Sequence, residues 1–171
     1  MSNGAAPMGS FARLNGMRSP AAASLLLLLS LTACGPSAER RATEEPRIEA
    51  AVRAYLVAMA EAYRTEDASR LAGVATQREV SGLERRLQDL GAEGRRLEVA
   101  LDDLVIEEIN QYNATNATVR TIERWDLQVV DRGSGTVLSE SLGQRNRAAY
   151  HLVRERGTWL VLFRQLLQTV E

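Results

Sequence analysis

Few residues in this chain could do acid–base chemistry. His151 is the only histidine, and it lies between Tyr150 and Leu152 in an apolar stretch. If Tyr150 and Leu152 face the core of a strand, His151 faces outwards, and the sequence supplies no partner that would orient its ring as a base. We therefore interpret His151 as a surface or structural histidine.

The other reactive residue types are equally weak candidates. Asp102-Asp103 and Glu107-Glu108 could form paired carboxylates, but they lie on alternating strands near a bend, where we expect solvent contact. Ser134 lies in a Gly-Ser-Gly turn that lacks the glycine spacing of a nucleophile elbow. Since no second histidine or cysteine exists, a zinc site is not expected. The sequence therefore predicts no catalytic residue, no metal and no cofactor, and a protein that is not an enzyme.

The lone cysteine has a different interpretation. Residues 18–34 read R-S-P-A-A-A-S-L-L-L-L-L-S-L-T-A-C, a positive residue followed by an apolar run and small residues. This is the layout of a secretory signal, and the run is too short to span a bilayer. Leu31, Thr32, Ala33 and Cys34 resemble the lipobox of bacterial lipoproteins, which implies cleavage before Cys34 and lipidation, including palmitate, of that residue. Residues 1–33 are then the signal peptide, whose start is either Met1 or Met17.

The rest of the chain fits one domain. Without residues 1–33, about 138 residues remain, with 19 Arg against 22 acidic residues and no block of like charge, which argues against nucleic acid as a partner. Residues 34–43 are short and polar and read as a lipidated tether, and residues 44–171 as the domain. Gly35 after the cysteine, by resemblance to Gram-negative sorting, implies the outer membrane, with the domain on the periplasmic face of the cell envelope.

Helices come first in this domain. From residue 44 to 64, apolar residues recur at helical spacing as one stripe: Ile48, Val52, Tyr55, Leu56, Met59 and Tyr63. A short helical piece follows over residues 67–75. Thr76-Gln77-Arg78-Glu79 has the form of a capping box, which predicts a third helix that stops at Gly91.

After Gly94 the period becomes alternating. A bulge is expected near Asp102-Asp103, where the apolar positions change phase. From Ala117, one strand face is apolar and includes Trp125 and Val129, and residues 131–135 predict a hairpin. The last strand, residues 158–167, is apolar on both faces and is expected to be central or covered, with Trp159 and Phe163 in the core. Helices followed by antiparallel strands indicate an α+β fold.

The C-terminal part carries a second resemblance. A long helix, a short one and a third, followed by a sheet that ends G-T-W-L-V-L-F-R-Q-L (157–166), resemble the NTF2-like superfamily of nuclear transport factor 2 and ketosteroid isomerase, including its SnoaL-type branch. A-T-V-R-T-I-E-R-W (117–125) and residues 145–161 are also similar to the IMS-type domain of plastid division proteins. The resemblance implies a cone in which N-terminal helices pack on a bent antiparallel sheet.

Two functions follow from these observations. The first is a membrane-anchored envelope lipoprotein whose domain is a non-catalytic protein-binding or scaffold module. The alternative is a small apolar ligand-binding or isomerase/dehydratase-like protein of the same fold, since such members place an Asp, a Tyr or an Asp-His pair inside the cone. In either case the candidate pocket or partner surface consists of Tyr55, Met59, Tyr63 and Trp125, although their spacing also suits a core.

Overall fold

The structure, a computed structural model, describes residues 38–170, and Cys34 and the three lipobox residues before it lie outside them. The elements are α1 (Ala38–Thr65), a 3-10 turn η1 (Ala68–Leu71), α2 (Gln77–Ala92), β1 (Arg95–Gln111), β2 (Asn116–Asp131), β3 (Val137–Glu155) and β4 (Thr158–Val170). The four strands form one antiparallel sheet in the order β1-β2-β3-β4. The predicted α+β arrangement is confirmed.

The core lies between α1 and the inner face of the sheet. The stripe of α1 contributes Ile48, Val52, Tyr55 and Leu56, each almost fully buried, because its spacing places these residues on one helix face. The sheet contributes its alternate residues, since successive strand side chains point to opposite faces. The buried sheet residues include Val119, Tyr150, Leu152 and Val161.

Bulges give the sheet its changes of phase. The pairing of β1 with β2 shifts between Leu101 and Asp103, as the sequence predicts near Asp102-Asp103. The pairing of β2 with β3 shifts between Val129 and Val130. As a result Val130 is buried, whereas the alternation in the sequence predicts Val129 on the apolar face. A third shift inserts Leu162 opposite the His151–Leu152 step of β3. Val161 therefore faces the core and Phe163 does not, so the prediction of a core Phe163 is wrong.

Three local predictions about the ends of the helices are wrong. Helix α1 begins six residues before Glu44, since residues 38–43 are mostly good helix formers, and Pro46 lies inside it. Helix α2 continues past Gly91 to Ala92, and it is Gly94 that has a positive φ of 68°. Thr76 is the N-cap of α2, but its side chain makes no capping hydrogen bond.

Strand β4 is an edge strand, not a central one. Its backbone edge is nevertheless met by the segment before α2, where Val161 N–H donates to the Val74 carbonyl (3.0 Å) and Thr76 N–H donates to the Val161 carbonyl (2.9 Å). This contact pairs backbone groups that an edge strand otherwise leaves open. It also fixes the start of α2 against the sheet.

Candidate functional site

A pocket of about 230 Å³ opens between α1 and the inner face of the sheet. Met59 and Tyr63 from α1 line one side, and Trp125 from β2 lines the other. The structure therefore brings together three of the four residues that the sequence nominated. The remaining lining residues are Leu97, Val99, Leu127, Gln144, Asn146, Arg164 and Leu166.

Tyr55, the fourth nominated residue, lies deeper in the core. It is 1% exposed, and its ring meets that of Tyr150 edge-on at 5.8 Å between centroids. Its hydroxyl donates to Glu79 Oε1 at 2.7 Å, and Arg86 donates to the same oxygen at 3.3 Å. This contact explains the failed capping box, because the Glu79 carboxylate binds Tyr55 instead of returning to the N-cap backbone.

The centre of the site is Glu123, a carboxylate that is fully buried on β2. Its Oε1 accepts hydrogen bonds from the Thr121 hydroxyl at 2.7 Å and from the Tyr150 hydroxyl. Its Oε2 accepts from Trp125 Nε1 at 2.8 Å and from Arg164 at 2.6 Å. Four donors from three strands therefore satisfy this carboxylate, as a buried charge requires.

Arg164 on β4 carries the compensating charge. Its Nε donates to the Tyr150 hydroxyl at 3.1 Å, while a terminal nitrogen donates to Glu123, so one guanidinium joins both groups. The Arg164 side chain keeps 21% of its surface exposed and lines the pocket. The ion pair thus lies at the boundary between the core and the pocket.

These contacts set the protonation states. Burial by itself raises the pKa of Glu123, but the Arg164 charge and the hydrogen bonds from Arg164, Tyr150 and Trp125 outweigh it, so the pKa lies below its usual range. Burial, together with the charge of Glu123, raises the pKa of Tyr150 well above its usual value. At neutral pH, Glu123 is therefore ionised and Tyr150 is protonated. Neither group is free to exchange a proton near neutrality.

One polar group in the pocket has spare hydrogen-bonding capacity. Asn146 is 6% exposed, and its Oδ1 accepts from Gln144 Nε2 at 3.2 Å. Within the described residues, Asn146 Nδ2 donates to no protein group. The pocket therefore offers an apolar wall, an amide donor and the flank of a guanidinium.

His151 lies away from this site. It is half-buried on the outer face of the sheet, where its ring stacks on Phe163 with centroids 4.2 Å apart and planes 21° from parallel. In the described part of the chain it makes no hydrogen bond to a carboxylate. The structure thus places His151 outside the pocket, on the side that the alternation around Tyr150 and Leu152 indicates.

The acidic pairs are exposed, as the sequence predicts. Asp102 pairs with Arg124 at 2.5 Å, Glu108 with Arg120 at 3.1 Å, and Glu107 with Arg147 across to β3 at 2.9 Å. Residues 38–170 hold no cluster of acidic, histidine or cysteine side chains suited to a metal ion. No helix in that range is long and apolar enough to cross a membrane.

A second buried carboxylate anchors the start of α1. Glu44 is 6% exposed, and its Oε2 accepts from Trp159 Nε1 at 2.9 Å. Its Oε1 lies 3.3 Å from Arg154 and 3.1 Å from Arg47. The Trp159 hydrogen bond and the two arginine charges lower the pKa of Glu44 despite its burial. The first turns of α1 are therefore tied to the β3–β4 hairpin.

Sequence reasoning missed the three buried carboxylates Glu44, Glu79 and Glu123. Each of them is stable in the core because it receives a donor from a distant element. A signal did exist for Glu123. It is two residues from Thr121 and two from Trp125, so in a strand all three side chains lie on the same face, which is otherwise apolar.

With this geometry, the fold is the NTF2-like cone, two helices on a bent four-stranded antiparallel sheet. Neither a protein-family model nor a curated protein sequence matches the chain significantly. Solved structures do. The intermembrane space region of the chloroplast protein ARC6 has a TM-score of 0.58 at 14% identity, with 77% of this chain and 98% of that chain covered.

Two bacterial structures show the same fold. A ketosteroid isomerase-like protein from Erwinia carotovora atroseptica has a TM-score of 0.50 at 19% identity, covering 73% of this chain and 97% of its own. A protein of unknown function from Mycobacterium tuberculosis has a TM-score of 0.50 at 20% identity, covering 81% and 78%. At these identities the likeness establishes the fold alone.

Proposed function

We propose that this protein is a cell-envelope lipoprotein, anchored by lipid on Cys34, whose NTF2-like domain is a non-catalytic protein-binding module. The partner contact is centred on the pocket lined by Met59, Tyr63 and Trp125. The lipobox-like residues 31–34 support the anchor. The similarity to a region of ARC6 that lies in an intermembrane space is consistent with a role at a membrane-bounded compartment.

The observation that carries the non-catalytic proposal is the saturation of Glu123. A general base needs a free lone pair and a pKa near the operating pH. Glu123 accepts four hydrogen bonds and its pKa is lowered, so it has neither. It acts instead as a structural anion that holds Tyr150 in the core and the pocket residues Trp125 and Arg164 in place.

The size of the pocket favours a protein partner over a metabolite. Small-molecule sites usually enclose about 300–1,000 Å³. A volume of about 230 Å³ is below that range and suits one large apolar side chain of a partner. Aromatic residues and methionine also suit such contacts, because they bury much area and adapt to the partner's shape.

The anchor is tested by the Cys34→Ala variant. Without the thiol there is no site for the lipid, so the protein should move from the membrane fraction to the soluble fraction. Cys34→Ala that stays in the membrane and is processed like the wild type would refute the anchor.

The binding surface is tested by cross-linking in cell envelopes. A photo-reactive residue at Leu166, which is 50% exposed at the pocket, should give a discrete protein adduct. Met59→Gln should weaken that adduct because it makes the wall of the pocket polar. The matched control is Val57→Gln on the same helix, 69% exposed and outside the pocket, which should leave the adduct unchanged. An adduct equally insensitive to both variants would contradict the proposal.

A second candidate is binding of a small apolar ligand, favoured by the unpartnered Nδ2 of Asn146. Such a ligand would place an oxygen acceptor against this amide and its apolar body against Trp125. Native mass spectrometry of protein purified from membranes distinguishes the two: a co-purifying molecule that is lost in Asn146→Leu supports the ligand, and its absence favours the protein partner.

A further inference from the structure

The N-terminal part of β3 is a sheet edge without a neighbour. Strand β4 pairs with β3 only from Arg145 onwards, where Arg145 lies opposite Val170. Val137, Ser139, Glu140 and Ser141 pair with β2 on one side and with no described strand on the other, while Leu138 and Leu142-Gly143 lie in the bulges at either end. Their outward backbone groups are open to another strand.

This edge is also apolar. Val137, Leu138 and Leu142 are 46%, 52% and 62% exposed, and Glu140 is the single charge among residues 137–143. By contrast, the β4 edge is met by Val74 and Thr76. Natural proteins usually protect an open edge with several charges, prolines or a covering segment. Among the residues that the structure describes, only one glutamate and the flanking bulges protect this edge.

The open window is symmetric about Glu140. Residues 138–142 read Leu-Ser-Glu-Ser-Leu, the same in both directions. When two copies of a strand pair antiparallel about a two-fold axis, the numbers of any two opposed residues add up to the same value. Outward-facing backbone groups alternate along a strand, so those of the two copies meet only if this value is even. The register centred on Glu140 meets this condition over the regularly paired residues 139–141. It places Ser139 opposite Ser141, and the bulged residues Leu138 and Leu142 flank this pairing on either side.

We propose that two copies of this chain associate through residues 137–143 of β3, of which residues 139–141 pair antiparallel about a two-fold axis at Glu140, so that the two sheets join into one of eight strands. The contact is small, so the dimer is weak and transient. It is separate from the pocket and does not depend on the proposed partner.

Glu140 sets the strength of this association. The axis places the two Glu140 side chains directly opposite each other, and like charges at such positions are destabilising. Gln128 Nε2, at 3.4 Å from Glu140 Oε2, is the neighbouring polar group on β2 and carries no compensating charge. Removal of the charge should therefore strengthen the dimer, and a charge of opposite sign on one copy should favour the mixed pair.

The decisive experiment is sedimentation equilibrium of the full chain in the Cys34→Ala background. Glu140→Gln should dimerise about two- to fivefold more tightly than the parent. An equimolar mixture of parent and Glu140→Arg should form more dimer than either alone. Leu142→Asn should weaken the dimer, whereas the control Val57→Asn, equally exposed but on α1, should not. These four substitutions lie at exposed positions and are compatible with the fold, which circular dichroism melting verifies.

The register is tested by cross-linking. Opposed antiparallel residues have Cα atoms about 4.5–5.5 Å apart, which suits a disulfide. In the same background, Glu140→Cys should form a covalent dimer on mild oxidation much faster than Val57→Cys. Monomers at all concentrations, a dimer insensitive to Glu140 and Leu142, or equal cross-linking at the two cysteines would each overturn the proposal. So would edge variants that abolish binding to another protein and leave the oligomeric state unchanged.

Discussion

The buried Glu123–Arg164 pair is the feature whose removal should have the largest measurable effect. In Arg164→Met, the stem of the side chain is retained and the charge is lost. Removing one partner of a buried ion pair costs about 3–5 kcal/mol, because the other charge stays buried without compensation. Arg164 keeps 21% of its side-chain surface exposed and three neutral donors to Glu123 remain, so we expect about 3 kcal/mol.

The assay is urea unfolding at neutral pH, with Arg120→Met as the matched control. Arg120 pairs with Glu108 at 3.1 Å, but the two side chains are 58% and 51% exposed. Exposed pairs contribute about 0–1 kcal/mol, so the control should lose no more than that. Equal losses in the two variants would mean that the Glu123–Arg164 pair does not stabilise the core as argued.

The pH dependence provides an independent test. In the wild type the folded pKa of Glu123 lies below the unfolded value of about 4.3, so the stabilisation is complete above that value and is lost as the pH falls through the folded pKa. In Arg164→Met, burial is no longer opposed by the guanidinium, and the folded pKa should rise above the unfolded one. The contribution of Glu123 to the stability of the variant is then greatest at low pH and is lost as the pH rises through its folded pKa. The stability gap between the two proteins should therefore shrink on acidification, and a gap that is constant from pH 7 to pH 4 would refute the reasoning.

Three further predictions concern other residues. Tyr55→Phe should lower the free energy of unfolding by about 1.5–3 kcal/mol, measured in urea, because the buried Glu79 carboxylate loses a donor at 2.7 Å. Trp159→Ala should lower it by about 3–5 kcal/mol and Phe163→Ala by clearly less, since Trp159 is 5% exposed in the core whereas Phe163 lies on the outer face. His151→Ala should leave the Leu166 cross-link unchanged, because His151 lies on the face opposite the pocket.

Each of these has its own control. Tyr63→Phe removes a hydroxyl from the pocket wall, where no carboxylate is bonded, and should cost far less than Tyr55→Phe. Equal losses for Trp159→Ala and Phe163→Ala would mean that the Leu162 bulge does not turn Phe163 outwards. Loss of the cross-link in His151→Ala, with the fold intact by circular dichroism, would show that the outer face contributes to binding.

The elements of this fold follow largely from local patterns. The period of α1 predicts which of its residues are buried, because the helical repeat aligns Ile48, Val52 and Leu56 whatever they pack against. The change of phase at Asp102-Asp103 predicts the first bulge for the same reason. The buried face of a helix and the position of a bulge can therefore be predicted without knowledge of the tertiary structure.

The site was only partly predictable. Met59, Tyr63 and Trp125 were nominated together from their periods, and the pocket is where they meet. The same alternation could have identified Glu123, since its side chain lies on the same face of β2 as those of Thr121 and Trp125. It was not nominated, although a buried carboxylate is stable once it is paired and hydrogen-bonded.

What only the tertiary structure decided is which distant groups meet. Arg164 reaches Glu123 because Arg164 lies opposite Tyr150 across the β3–β4 pairing, past a bulge that no local pattern marks. Glu79 leaves its capping role because Tyr55, 24 residues earlier, supplies a stronger partner in the core. Local sequence determines the repeat of each element and the face that it buries. The register between strands, and with it the partner of every buried charge, is set by packing the elements together, because hydrogen-bond donors for a buried carboxylate must come from whichever strand lies beside it.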